Sequence, residues 1–323
     1  MITNSQYQTI ISEYEKEQTK NRHLLSERRS EVFAALPSYK ELEESVSSLC
    51  VAQGRKLLTG DTQALDEMKQ RMRELARRKK QLLKENDYPE DYLDPIYTCP
   101  DCKDTGYLPD HSKCHCLQEK LVALLYEQSG LNGQTETENF KHLSMEYYAG
   151  EDLVRFQKAV ASAQKFVSDF GSHYHNLFFY GTVGTGKSFL SYCIAKEVLD
   201  LGKSVKYFSA GVLFDTLSEY TFRSNEKDAL SQFCDALYGC DLLIIDDLGT
   251  ELVNSFVASE LFHCLNERHL RQKATIISSN ISLEEFRDHY SERIFSRITS
   301  NFELLKITGP DIRMYKKRIA NRK

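Results

Sequence analysis

The sequence lacks any apolar run long enough to cross a membrane, since no stretch approaches about 18 consecutive apolar residues. It also lacks the apolar core of a signal peptide, because its opening residues, MITNSQYQTIISEYEKEQ, are mostly polar. Excess basic charge is missing too: 42 lysines and arginines stand against 47 aspartates and glutamates, a formal net charge of −5. We therefore expect a cytoplasmic protein with no membrane partner, whose contacts with nucleic acid would come from a local basic patch.

The number and placement of cysteines favour a metal site over disulfides. Four of the nine cysteines crowd between residues 99 and 116, whereas the other five are scattered along the chain. A reducing compartment keeps scattered thiols free, so such clustering is typical of metal binding. The length of 323 residues exceeds the usual domain size of about 150 residues, and two modules are expected.

A glycine-rich segment, GTVGTGKS at 181–188, matches the pattern G-x-x-x-x-G-K-[ST] in full. It follows the strand-like NLFFY (176–180) and precedes the helical pattern SFLSYCIAKEVLDLG (188–202). Glycines let backbone amides converge on a triphosphate, and the positive end of the following helix adds to the anion site. The pattern predicts ATP and Mg²⁺ as ligands, with Lys187 on the β and γ phosphates and Ser188 on Mg²⁺. The nucleotide-binding residues expected here are Gly181, Gly184, Thr185, Gly186, Lys187 and Ser188.

Two further apolar runs end in polar residues suited to phosphate chemistry. CDLLIIDDLGTE (240–251) reads as a buried parallel strand with carboxylates at its carboxyl end, where ligands of such sheets lie. Asp246 is expected to hold the Mg²⁺ shell, and Asp247 to orient or deprotonate the attacking water. ATIISSN (274–280) ends in Asn280, which suits the γ-phosphate or that water but is also a common turn residue.

Together with SERIFSRI (291–298), these segments resemble the Walker A, Walker B, sensor 1 and arginine-finger segments of AAA+ ATPases. In particular they are similar to the DnaC/DnaI helicase loaders and the related IstB transposition helpers, over roughly residues 138–312. The resemblance implies that Arg297, with Arg293 as second choice, stabilises charge on a neighbouring subunit's ATP. It therefore implies a homo-oligomer in the ATP state.

Two features depart from that family pattern. Many AAA+ proteins have Glu where Asp247 stands, and the shorter side chain leaves the hydrolysis rate open while binding should survive. Too few residues follow Arg297 for the usual helical lid, so a standard sensor 2 arginine is not expected. Arg313 could substitute for it, but a solvated basic end, RMYKKRIANRK, is the favoured interpretation.

Upstream, CPDCKDTGYLPDHSKCHC (99–116) carries a C-x2-C pair and a C-x-C pair. The turn residues between them can bring both pairs onto one ion, which predicts a Zn²⁺ site. The expected ligands are Cys99, Cys102, Cys114 and Cys116, although His111 or His115 could replace one thiolate. Four protein ligands leave no open position, so the zinc would be structural rather than catalytic.

A helix is predicted over ALDEMKQRMRELARRKKQLLKEN (64–86). Its apolar residues form a heptad seam interrupted by Lys79 and expected to pack on a partner helix: Leu65, Met68, Met72, Leu75 and Leu82. The rest of its surface is strongly basic, which suits nucleic acid or an acidic protein surface, and equally a solvated face.

A candidate contact for single-stranded DNA lies at LFDTLSEYTFRSNEK (213–227), where Tyr220, Phe222 and Arg223 are close in sequence. Leu213, Phe214, Leu217 and Tyr220 also form an ordinary core-facing stripe, which is the favoured interpretation for the apolar residues. Arg223 therefore carries more of the expected DNA contact than the aromatic rings do.

The expected fold is α/β: an AAA+ P-loop domain with a parallel sheet flanked by helices, behind a helical, zinc-binding N-terminal domain. The predicted boundaries are 1–128 for the N-terminal domain, 129–140 (SGLNGQTETENF) for a polar linker, and 141–323 for the ATPase domain. The resemblance implies an ATP-dependent loader that binds single-stranded DNA and delivers a hexameric replicative helicase. Two alternatives are a transposition or phage-encoded helper ATPase, and a nucleotide-gated zinc adaptor with negligible turnover.

Overall fold

The computed structural model describes residues 2–58, 64–131, 133–222 and 227–320. Their contacts divide the chain into two compact units: an N-terminal unit, Tyr7–Leu117, and a C-terminal unit, Met1–Gln6 together with Gln118–Lys323. In these described ranges, no helix has the length and apolar character that a membrane span requires.

Three long helices build most of the N-terminal unit: α1 (Asn4–Ala35), α2 (Pro37–Leu58) and α3 (Ala64–Glu85). Helix α3 confirms the helix predicted over 64–86, and it packs along α2. The helices share a small apolar core that contains Val32, Tyr39, Leu82 and Leu83. After α3 the chain runs through the cysteine-bearing loop into α4 (His115–Ser129).

In the predicted seam of α3, Met68, Met72 and Leu75 are half-buried and Leu82 is buried, whereas Leu65 is 40% exposed. Lys79, which interrupts the seam, donates a hydrogen bond to Glu43 of α2 and lies 5.9 Å from the Tyr39 ring centroid. An ion pair and a ring therefore accommodate the charge at the helix contact.

The described residues of the C-terminal unit form five parallel strands in the order β2-β3-β4-β1-β5. The strands are β1 (Leu177–Tyr180), β2 (Val205–Ser209), β3 (Leu242–Leu248), β4 (Ala274–Ser279) and β5 (Glu303–Lys306). The helices are α5 (Gly150–Ser168), α6 (Lys187–Asp200), α7 (Ala210–Phe222), α8 (Lys227–Gly239), α9 (Ser255–Leu270), α10 (Leu283–His289), α11 (Glu292–Asn301) and α12 (Ile312–Ala320). The predicted strands before the P-loop, before the paired aspartates and before Asn280 are all confirmed.

Alternate residues of the central strands face two separate apolar cores, which shows that helices cover both faces of the sheet. In β1, Leu177 and Phe179 belong to one core and Phe178 to the other. In β3, Leu242 and Ile244 likewise alternate with neighbours that enter the second core. Burial on both faces explains why these strands read as continuous apolar runs, and the predicted α/β fold is confirmed.

Residues 129–140, predicted as a linker, belong to the C-terminal unit and carry buried side chains. They include a short 3-10 helix, Gln134–Glu136, and Asn139 caps a second one by accepting from the Lys141 amide. Gly130 adjoins β2 so closely that a Cβ there would lie 2.8 Å from the Tyr207 carbonyl oxygen. Gly130 and Asn139 therefore form turns that pack against the C-terminal unit. The predicted domain boundaries stay a prediction.

Helix α7 buries Leu213, Phe214 and Leu217, as the core-facing interpretation of that stretch expects. Tyr220 also packs inward, its ring centroid 5.7 Å from that of Phe233, whereas Phe222 is 72% exposed. Arg223, the expected DNA contact, lies outside the described residues.

Candidate functional site

The loop 181–188 joins the end of β1 to the start of α6, at the carboxyl edge of the sheet. Gly181 and Gly184 have φ angles of 130° and 74°, which side chains rarely adopt. A Cβ on Gly181 would overlap the Ile307 carbonyl oxygen, and one on Gly184 would overlap the Asp311 carboxylate. The pattern's glycines are thus required both by the backbone conformation and by the close approach of the chain before α12.

Lys187 places a cation at the centre of this loop. Its ammonium group donates to the carbonyl oxygens of Gly181 at 2.9 Å and Thr182 at 2.6 Å, and the residue is only 4% exposed. Burial lowers the pKa of Lys187 to about 8, although the nearby Asp247 and Asp246 carboxylates act to raise it. Because Lys187 also begins α6, its charge adds to the positive end of that helix.

Asp246, at the end of β3, is 6% exposed and accepts hydrogen bonds from three hydroxyl groups. Ser188 donates to Oδ1 from 3.1 Å, Ser278 donates to the same oxygen, and Tyr207 donates to Oδ2. The Tyr207 ring is stacked on Tyr192, with centroids 4.8 Å apart and an interplanar angle of 18°. The carboxylate is therefore held beside the Ser188 hydroxyl in one orientation.

Tyr207 and Ser278 were missed by sequence reasoning. They lie in β2 and β4, the two strands that flank β3 in the sheet. Polar residues near the ends of SVKYFS and ATIISS were the available signal, but their significance depends on the strand order.

Asp247, the next residue of β3, has a left-handed conformation with φ of 57°, at the point where the pairing of β3 with β4 shifts register. Its backbone N–H donates to the Ser278 hydroxyl at 3.0 Å, and its Oδ1 accepts from Asn280 Nδ2 at 2.7 Å. The structure thus brings the Asp247 carboxylate and the Asn280 amide into contact.

Tyr207, Asp246, Asp247 and Asn280 line one cavity of 560 Å³, together with residues 183–188 of the P-loop. The volume lies within the range of small-molecule sites, and the backbone amides, ammonium, hydroxyl and carboxylates fit a nucleoside triphosphate with Mg²⁺. Tyr148 supports the loop by donating to the Thr185 carbonyl oxygen at 2.9 Å. Ser188 and Asp246 are the side chains that could hold the metal.

The residues that open α12 also belong to this cavity. Ile312 donates its N–H to the Gly184 carbonyl oxygen at 2.9 Å, and Arg313 lines the cavity as an exposed side chain. Its charge acts to lower the pKa of Lys187. The favoured interpretation of this segment from its sequence is a solvated basic end. The structure instead places Arg313 at the cavity, because the contact with Gly184 brings the start of α12 to the P-loop.

A family model described as IstB-like ATP binding protein matches residues 142–320, more than half of the chain. The chain belongs to the IstB-like ATP-binding proteins. The matched range includes the P-loop, both aspartates, Asn280 and Arg297.

Relatives of this IstB-like chain include replication proteins. The replicative helicase loader DnaC of Escherichia coli K12 is 26% identical over 164 residues, which cover 51% of this chain and 65% of DnaC. The chromosomal replication initiator DnaA of Enterococcus faecalis is 30% identical over 158 residues, covering 48% of this chain and 34% of DnaA. The chain thus spans less than two thirds of the length of these relatives. A crystal structure of the DnaC helicase loader aligns with a TM-score of 0.46 at 22% identity, over 55% of this chain and 99% of that one.

Arg297 lies on α11 and does not line the cavity formed by the described residues. Its guanidinium donates to Asn266 Oδ1 at 2.8 Å and lies 6.0 Å from the Phe262 ring centroid. Arg293, one turn earlier, is exposed. The structure therefore keeps Arg297 apart from the other residues expected to act on the nucleotide of the same chain.

Four cysteines of the N-terminal unit, Cys99, Cys102, Cys114 and Cys116, converge, with their sulfur atoms within 4.8 Å of one another. The sulfurs of Cys99 and Cys114 are 3.8 Å apart, and those of Cys102 and Cys116 are 3.5 Å apart. A tetrahedral ion with Zn–S bonds of about 2.3 Å separates its ligands by about 3.8 Å, so this donor set fits zinc. His111 is not part of this cluster.

Side chains around the cysteines hold the loop in shape. Tyr14 donates from its hydroxyl to Cys116 Sγ at 3.2 Å. The buried Asp104 carboxylate accepts from the backbone N–H groups of Cys99 at 2.7 Å and Thr98 at 3.0 Å. Such outer contacts orient the ligands of structural metal sites.

Proposed function

We propose that this protein is an ATP-hydrolysing helicase loader of DNA replication, which binds ATP and single-stranded DNA and delivers a hexameric replicative helicase. The observation that carries the proposal is the similarity to the DnaC loader over 164 residues, in a chain whose structure forms a P-loop cavity. The related DnaA initiator also acts, by its name, at the start of chromosome replication, which supports the same process.

The chemistry assigned to the site is hydrolysis of the terminal phosphate. Mg²⁺ held by Ser188 and Asp246 would neutralise phosphate charge, and Lys187 would contact the β and γ phosphates. Asp247 would orient or deprotonate the attacking water, and Asn280 would hold Asp247 through the 2.7 Å hydrogen bond. Arg313 would add a second cation near the phosphates, since it lines the same cavity as Lys187.

Arg297 would act on the nucleotide of a neighbouring subunit. Its place outside the cavity of its own chain supports this role, because a residue that acts in trans must be presented at another surface. ATP binding would therefore favour a homo-oligomer, and the oligomer would couple the nucleotide state to the helicase. The zinc-binding loop would fix the fold of the N-terminal unit, which would contact the helicase.

Reconstituted helicase loading tests this proposal. The replicative helicase of the same organism is mixed with this protein, ATP and a circular single strand carrying an annealed, labelled oligonucleotide, and displacement of the oligonucleotide is measured. Loading should fail with Lys187→Ala and with Arg297→Ala, but persist with Arg293→Ala, a matched change on the same helix. Full loading by both Lys187→Ala and Arg297→Ala would refute an ATP-dependent loader.

A helper ATPase for transposition is the second candidate, because the matching family model is the IstB-like one. In that case the partner would be a recombinase rather than a helicase. Reconstitution separates the two: stimulation of a transposase from the same cell, without any effect on helicase loading, would favour this candidate.

A further inference from the structure

Five cations form a stripe along one face of α3 in the N-terminal unit. The basic stripe consists of Lys69, Arg73, Arg77, Lys80 and Lys84, and each of these residues is exposed. Because consecutive members are three or four residues apart, they lie above one another on the helix surface. With a rise of about 1.5 Å per residue, the stripe extends over about 22 Å.

Within the described part of the chain, carboxylates pair with the two ends of the basic stripe and not with its middle. Lys69 pairs with Asp66 at 3.8 Å and Lys84 with Glu90 at 3.2 Å, so both ends are partly neutralised. Among the residues that the structure describes, no ion pair forms at Arg73, Arg77 or Lys80. Lys79, on the side of α3 that faces α2, is by contrast paired with Glu43.

We propose that the basic stripe binds the phosphate backbone of nucleic acid, as a site separate from any DNA contact of the C-terminal unit. A DNA strand in a duplex carries one phosphate per about 3.4 Å of axis, so a stripe of about 22 Å can face several successive phosphates. Because the whole chain has a net charge of −5, the attraction is local to this face and not a property of the protein's overall charge.

The composition of the face selects nucleic acid over an acidic protein. Helix α3 contains no aromatic residue, and the stripe contains no apolar residue between its cations. A stable protein interface needs an apolar centre, which this face does not offer, whereas phosphate contacts need only cations. Without aromatic rings for base stacking, the stripe should bind single and double strands with little dependence on sequence.

The test is a fluorescence-anisotropy titration of the full chain, without nucleotide, using a labelled oligothymidine strand and a duplex of the same length. Affinity is measured at several salt concentrations from roughly 50 to 200 mM for wild type and for the triple variant Arg73→Gln, Arg77→Gln, Lys80→Gln. The variant should weaken binding on the order of tenfold at the lowest salt. For the single strand, the slope of log K against log salt should fall by about 2, since each phosphate contact contributes about 0.7.

A matched variant removes equal charge from other exposed positions of the same unit: Lys40→Gln, Arg71→Gln and Arg78→Gln. It should keep nearly the wild-type affinity and slope. Glutamine is a good helix former, so helical content by circular dichroism and ATP binding should persist in both variants. Equal slopes for all three proteins would overturn the proposal. The same titration is run with labelled polyglutamate. If the stripe variant loses polyglutamate binding but keeps its DNA binding, the proposal is overturned and the stripe binds an acidic protein instead.

Discussion

Replacing Asp247 by Asn separates nucleotide binding from hydrolysis. Asparagine has the same size and tolerates the left-handed backbone found here, where φ is 57°. Its amide oxygen can still accept the hydrogen bond that Asn280 donates at 2.7 Å. The Ser278 contact is made by the backbone N–H of residue 247 and is therefore unaffected. The substitution removes only the negative charge and the proton-accepting ability of the carboxylate.

The size of the effect follows from those two losses. General-base catalysis by a positioned carboxylate contributes about 10² to 10⁴ in rate, and we expect turnover to fall by 10² or more. A factor of about 10² corresponds to about 2.7 kcal/mol of activation free energy. ATP affinity should stay within about threefold of wild type, because Lys187, the P-loop amides and Asp246 are unchanged.

Two assays decide the outcome: phosphate release under saturating ATP, and titration with a fluorescent ATP analogue. Asp247→Glu serves as the comparison, because it keeps the charge and restores the length common in AAA+ proteins; its turnover should exceed that of Asp247→Asn by at least tenfold. Near-normal turnover of Asp247→Asn would refute the assignment of Asp247. Negligible turnover of the wild type with tight ATP binding would support the nucleotide-gated adaptor instead.

Three further predictions concern the ammonium, the metal ligand and the cysteines. Burial lowers the pKa of Lys187 to about 8, and bound phosphates favour its charged form, so the Kd for ATP should rise about tenfold from pH 7 to pH 9. Calorimetry in two buffers should detect proton uptake on ATP binding. A Kd that does not change with pH would contradict this. Tyr207→Phe removes a hydrogen bond to Asp246, so the Mg²⁺ concentration for half-maximal hydrolysis should rise on the order of tenfold, and an unchanged Mg²⁺ requirement would exclude this role. The wild-type protein should contain about one Zn²⁺ per chain. The double variant Cys99→Ser, Cys102→Ser should unfold the N-terminal unit but keep ATP binding. Absence of zinc from protein purified without chelators would disprove the site.

The sequence predicted the parts of the site that short motifs specify. The strand, the glycines and the helix start of the P-loop are contiguous in the sequence. The apolar runs before Asp246 and Asn280 are recognisable because these strands are buried on both faces. The proximity of the Asp247 and Asn280 side chains follows because parallel strands end at one edge of the sheet.

Other contacts depend on the tertiary arrangement and could not be predicted. Tyr207 reaches Asp246 only because β2 lies next to β3 in the sheet. Arg268 reads as a basic residue of a last helical turn, yet it is 1% exposed and donates to the carbonyl oxygens of Leu237 and Cys240. Arg313 reads as part of a basic tail, yet it lines the cavity beside the point where Ile312 donates to Gly184.

The identity of the partner is the most direct test of the proposed function. The full chain is purified with a tag from its own cells, with and without ATP, and the main co-purifying protein is identified by mass spectrometry. We predict the replicative helicase, in an amount that changes with ATP for wild type but not for Lys187→Ala. A recombinase as the main partner, with no helicase recovered under either condition, would contradict a role in helicase loading.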